Sequence, residues 1–190
     1  MNNRDTVIRS LHDLGAASWF GGSLMGALGV NGASKDVSDP MERAKIASAG
    51  WGRWAPVAAV SIGAHLVGGI GLVIANRGRI QDQKGAASNS VVKTGLTIAA
   101  LATTAYSGVL GAQLAGAPDR PSSGGTVPDA QTDHSVARIQ QQLRVLQWAT
   151  PVLTGTLIIL GAQQGEQQKP SQLLAGRARK VVGDIRDKVA

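Results

Sequence analysis

Four stretches of this chain carry no Asp, Glu, Lys or Arg: residues 14–34, 54–76, 94–118 and 145–165, which are 21, 23, 25 and 21 residues long. A helix that crosses a bilayer needs about 20 mostly apolar residues. A helix in the core of a water-soluble protein keeps a charged face, and the run 57–75 offers no polar side chain beyond Ser61 and His65. Only 16% of the chain is charged and 43% is hydrophobic, yet the mean hydropathy is +0.02, because the charges crowd between the runs. The pattern predicts an all-α, four-transmembrane-helix bundle and excludes a soluble enzyme domain, a disordered tail and a disulfide-framed module. Cysteine is absent, so no thiolate chemistry and no Cys-held metal enters the reading.

The opening MNNRDTVIRSLHD mixes two arginines with two aspartates and precedes a run long enough to span. It is read as the start of a retained anchor helix and not as a cleavable leader. The formal charge of +7 serves orientation. With both termini on one side, that side holds twelve of the Lys and Arg residues, and the other side holds seven. The positive-inside rule then places both termini in the cytoplasm.

Outside the runs, Asp39 fits an N-cap, Pro40 the first helical position and Glu42 the third, which predicts a helix over 40–48 leading into the second span. Trp51 and Trp54 suit a bilayer interface. Residues 117–132, APDRPSSGGTVPDAQT, read as a mobile linker. Val136, Ile139, Leu143 and Leu146 then recur at helical spacing, predicting one helix over 134–163 whose stripe packs on the 40–48 helix as a small external helical cap. Residues 1–169 form the membrane domain. Residues 170–190 form a basic amphipathic helix, in which Arg177, Arg179, Lys180, Arg186 and Lys188 meet anionic headgroups on the cytoplasmic side. No aromatic residue is interleaved there for stacking on bases, so the partner is lipid and not nucleic acid.

Small residues let helices approach closely in lipid. The third run has them at every fourth position, Gly95, Ala99, Thr103, Ser107, Gly111 and Ala115; the first has Gly22 and Gly26, the second Gly68. Such ladders serve folding and association alike, with another membrane subunit or with a second copy as partner. Leu110 is expected to face lipid. His65, the midpoint of its run, is the one ionisable side chain within the four runs apart from Tyr106. It reads either as interhelical glue, bonded to a hydroxyl or backbone carbonyl of a neighbour, or as a ligand of haem or quinone. Met25 lies near mid-depth as a second axial ligand for such a haem. His12 is ~18 Å from the centre of the first run along a helix axis and is expected not to pair with His65. No catalytic motif or metal-binding cluster accompanies these residues.

The segments LHDLGAASWFGGSLMGALGVNGA, GWGRWAPV and QWATPVLTG resemble small uncharacterised four-span integral membrane proteins of high-GC actinobacteria. The resemblance covers most of the chain and implies a bacterial plasma membrane, but no activity. His12 with Trp19-Phe20-Gly21-Gly22 is more loosely similar to copper-resistance membrane proteins, without a Met/His cluster to hold copper. The expectation is a non-enzymatic, multi-pass protein: an accessory or scaffold subunit, or a binder of lipid or small apolar molecules. The alternative is a redox protein with haem or quinone at His65.

Overall fold

The computed structural model describes residues 3–82, 84–117 and 121–167. The basic segment with Arg177, Arg179, Lys180, Arg186 and Lys188 lies outside them. Helix α1 spans Asn3–Met25, passes through a π-helical turn at Gly26–Val30 into the short α2 (Asn31–Ala33), and ends in a 3-10 turn, Ser34–Asp36. Helix α3 runs Pro40–Asp82, α4 Lys84–Ala115 and α5 His134–Gln167. A two-stranded antiparallel hairpin, β1 (Ser122–Gly124) and β2 (Val127–Pro128), stands between α4 and α5.

Among the described residues, three helices are long and apolar enough to cross a membrane: Pro40–Ala75, Asn89–Ala115 and His134–Gln163. The path of α1 through α2 stays right-handed at Met25, Val30, Asn31, Ala33 and Ser34, so the turn does not break it. It does re-aim it. The Asn31 N–H reaches back five residues to Gly26 O, and the extra residue brings Asn31 into the interior.

Solvation is inverted relative to a water-soluble protein. Val60, Val67, Ile70, Ile98, Val145, Val152 and Ile159 are exposed. The interior holds alanines (Ala16, Ala27, Ala58, Ala100) and small hydroxyls (Ser23, Ser61, Thr150, Thr154) around Trp19. Large apolar groups outside and small or polar groups inside are what hydrocarbon as solvent selects, since helices there gain by close backbone approach and interhelical hydrogen bonds.

Helix α1 packs along α3 and also against α5; α4 packs against α5 and α3. The α1–α3 pair is antiparallel and very close. A Cβ at Gly15 would stand 2.5 Å from His65 N and Ser61 O, and one at Gly68 would collide with the backbone of His12. Gly22 lies under the Trp54 ring, Gly26 under Trp51, and Gly71 against Ile8. Trp51 and Trp54 are half-buried and seated on glycines of the π-helical turn and of α1.

Helix starts follow local chemistry. Asp39 Oδ1 accepts the Met41 N–H at 2.9 Å and caps α3, with Pro40 at the first position. Asp133 Oδ1 accepts the Ser135 N–H at 2.9 Å and caps α5. Proline does not end either long helix, since Pro56 and Pro151 both lie inside. Residues 121–132 are not a free linker. Ser122, Gly124, Gly125 and Thr126 are buried, and Gly125 fits so closely on Ala47 that a Cβ there would overlap it.

Candidate functional site

The most concentrated chemistry inside the helices is a histidine pair. The His12 and His65 rings stack with centroids 4.1 Å apart and 20° between planes. His12 Nδ1–H donates to His65 O at 2.9 Å, and His65 Nδ1–H donates to His12 O at 3.1 Å. A carbonyl only accepts, so both Nδ1 atoms carry their hydrogens. Trp19 meets His65 edge-on at 6.1 Å and donates its Nε1–H to Thr104 Oγ1 at 3.2 Å, tying α1 to α4. Ser18 Oγ and Ser61 Oγ share a hydrogen bond of 2.8 Å.

This corrects the expectation that His12 and His65 do not meet. That expectation aligned the two runs at their midpoints. The glycines instead align α1 and α3 so that His12 faces His65, Ser18 faces Ser61 and Gly22 faces Trp54. Asp13 and Lys93, which lie outside the uncharged runs, thereby come within electrostatic reach of both imidazoles.

The two rings do not face one shared iron. Imidazole lone pairs lie in the ring plane. Near-parallel stacked rings therefore do not aim them at a common iron between the faces. Each neutral ring has already given its one N–H to a carbonyl, leaving no donor for a quinone oxygen. Met25 is exposed, and its Sδ and Cε lie along its own helix beside Gly29. It is 13 positions from His12 on α1, about 20 Å along the axis, and does not approach His65.

The packing residues divide. Gly22, Gly26 and Gly68 sit where a Cβ would overlap a neighbouring helix, whereas a Cβ at Gly95 or Gly111 would meet nothing within 4 Å. Ala99, Thr103 and Ser107 are half-buried; Thr103 donates to Ala99 O and Ser107 to Thr103 O, each at 2.8 Å. A ladder of every fourth residue drifts by about 40° per rung on a 3.6-residue helix, so its ends rotate away from the neighbour its middle touches. The inward face of α4 runs through Ala100 and Leu110, both buried. Leu110 is thus a core residue and does not face lipid.

The end of the molecule near the hairpin carries a polar network that the sequence did not disclose. Asn31 donates through Nδ2 to Gln147 Oε1 at 2.6 Å and accepts from Trp51 Nε1 at 3.0 Å. Ser34 Oγ donates to Asn31 O at 2.8 Å and accepts the Gly125 N–H at 2.9 Å. Arg43 reaches Val37 O at 2.8 Å and Ser122 O at 3.4 Å, and Gln140 Nε2 reaches Gly124 O at 3.3 Å. This joins α1, α3, the hairpin and α5. Its one local signal was Ser-Ser-Gly-Gly-Thr-Val, a turn flanked by strand formers. Among the described residues, no three of His, Cys, Asp and Glu come together to hold a metal ion.

The stacked rings predict coupling between the two histidines, since each hydrogen bond goes to a backbone carbonyl that substitution of the partner side chain leaves in place. His12→Leu and His65→Leu should each lower the melting temperature in detergent, and the double variant should lose less than the sum. The coupling should be about 0.5–1.5 kcal/mol, the worth of a stacked ring pair. Strict additivity would show that the rings do not act together.

No protein-family model, no curated protein and no solved structure matches the chain.

Proposed function

We propose that the chain is a non-enzymatic, multi-pass protein of a bacterial plasma membrane that serves as an accessory or scaffold subunit. In this reading residues 14–34 make a fourth crossing beside the three apolar helices, completing a four-helix bundle. Both termini lie in the cytoplasm, with the basic segment on anionic headgroups. The hairpin, the start of α3 and the start of α5 form the external cap. The contacts agree with that threading to this extent: residues of the first and third loops meet at one end, while Lys93 lies near Asp13 and His12 towards the other.

The observation that carries the accessory role is the outer face of α4. Gly95, Ile98, Ala102, Ala105, Val109, Ala112 and Gly116 are all exposed and recur at alternating spacings of three and four. That is a seam of mostly small residues, with Ile98 and Val109 among them, suited to another helix from a second copy or a partner subunit. The histidines supply support of a different kind, because their donors are spent on the protein's own backbone. A second reading, a binder of lipid or small apolar molecules, is favoured by a cavity at the hairpin end.

Threading is checked by single cysteines in this cysteine-free chain. Cysteine at Ser38 or Gln131 should react with an impermeant maleimide in intact cells, and cysteine at Ser171 only after lysis. Equal labelling at all three would contradict the topology. The seam is checked by Ala105→Leu with Ala112→Leu, which should leave the melting temperature of the isolated chain within a degree or two yet reduce self-association, or retention of a partner subunit, in native-membrane extracts. Unchanged assembly would show that lipid covers this face.

A further inference from the structure

A cavity of about 310 Å³ lies between the start of α3, the end of α4, the hairpin and α5. This is at the low end of the range of about 300–1,000 Å³ typical of small-molecule sites. Met41, Ala44, Leu114 and Val136 give it an apolar wall. Two of its other lining residues, Ser122 and Gln140, are almost completely buried, with relative exposures of 2% and 0%. Ser122 Oγ and Gln140 Oε1 have no hydrogen-bond partner. A buried polar atom without a partner has lost its water and gained nothing in return, and the large majority of buried side-chain polar atoms are not left so.

The amide of Gln140 cannot be turned round to relieve this. Its Nε2 faces Gly124 O and Gly125 O at 3.3 and 3.5 Å, and exchanging the two ends would set an oxygen against two carbonyls. Oε1 therefore requires a donor. Ser122 Oγ takes a donor or an acceptor. A carboxylate or phosphate ester would present only lone pairs to Gln140. A cation would meet no acidic side chain among the lining residues, and would meet the charge of Lys45 at the wall.

We infer that this cavity binds a small neutral molecule with an aliphatic body and one hydroxyl group, the body against Met41, Ala44, Leu114 and Val136 and the hydroxyl against Gln140 and Ser122. The inference rests on the reading of the chain as a binder of lipid or small apolar molecules, and it names the ligand class. A glycerol-headed lipid and a free aliphatic alcohol share this chemistry. Both differ from water, which would satisfy the same two atoms without any aliphatic preference.

The test uses the full chain in nanodiscs and a diazirine-bearing octanol, with adducts mapped by peptide mass spectrometry. Saturable labelling should fall on residues 41–49 and 136–140. 1-Octanol should compete better than octane by about five- to tenfold, the worth of one neutral hydrogen bond. Ala44→Phe, which fills the cavity, should abolish labelling while the melting temperature is kept. If Ala44→Phe does not fold, Gln140→Leu carries the same claim and should lose the preference for octanol over octane. An acylglycerol retained stoichiometrically through purification, or a lipid-free protein that takes up octanol, both support the inference and name the source. Saturable labelling with octane competing equally overturns the hydroxyl inference and leaves the binder reading standing. Absence of saturable labelling, with water alone in the cavity, overturns both.

Discussion

The close antiparallel contact of α1 with α3 is the constraint on which the other features depend. It exists because Gly15, Gly22, Gly26 and Gly68 lack a Cβ at the points where a neighbouring backbone or indole ring arrives. Once those backbones are close, the His12 and His65 rings reach each other's carbonyls. Trp19 is buried where it can bond Thr104 on α4, and Phe20 lies against Gly155 on α5. In the proposed threading these helices lie in hydrocarbon, where no hydrophobic force drives their assembly. Dispersion over closely approached backbones and a few reciprocal hydrogen bonds must suffice, which explains an interior made of alanine, serine and threonine.

The hairpin end depends on the same contact through the π-helical turn. A straight α-helix from Asn3 to Asp36 would present Asn31 on a different face, because one added residue rotates the downstream side chains by about 100°. With the turn in place, Asn31 accepts from Trp51 and donates to Gln147, so one side chain joins the end of the α1 path to α3 and α5. Ser34 extends the join to Gly125 in the hairpin. The cavity beside Gln140 is a consequence of this architecture: a buried hairpin inserted between two helix starts leaves space that small side chains do not fill.

Much of the helical content was legible in the sequence. Three of the four apolar runs fall on membrane-length helices, the Asp39-Pro40 pair marks the start of α3, and the 134–163 periodicity marks α5. What was not legible was lateral. Periodicity says which residues share a face, but not how far one helix slides along another. Aligning the runs at their midpoints pairs His65 with the level of Met25, whereas the glycine contacts pair it with His12. The four-residue ladder on α4 suggests an inward stripe; helical drift carries Gly95 and Gly111 away from any neighbour and leaves Leu110 inside. Composition suggests a mobile segment at 117–132, but within it Gly125 is seated against Ala47, Asn31 and Ser34, partners distant in sequence that composition cannot reveal. The stacked histidines turn on the same slide: their residue type is visible in the sequence, their meeting is not.

The sliding register of α1 against α3 is the central claim, and a disulfide tests it most directly. The chain has no native cysteine, so a pair placed at Ser18 and Ser61, whose hydroxyls are 2.8 Å apart, is free of background. Mild oxidant in native membranes should close Ser18→Cys with Ser61→Cys rapidly and nearly completely, as read by peptide mass spectrometry. Leu28→Cys with Ser61→Cys, the pair that midpoint alignment would bring together, should stay reduced. Cross-linking of the second pair and not the first would contradict the account.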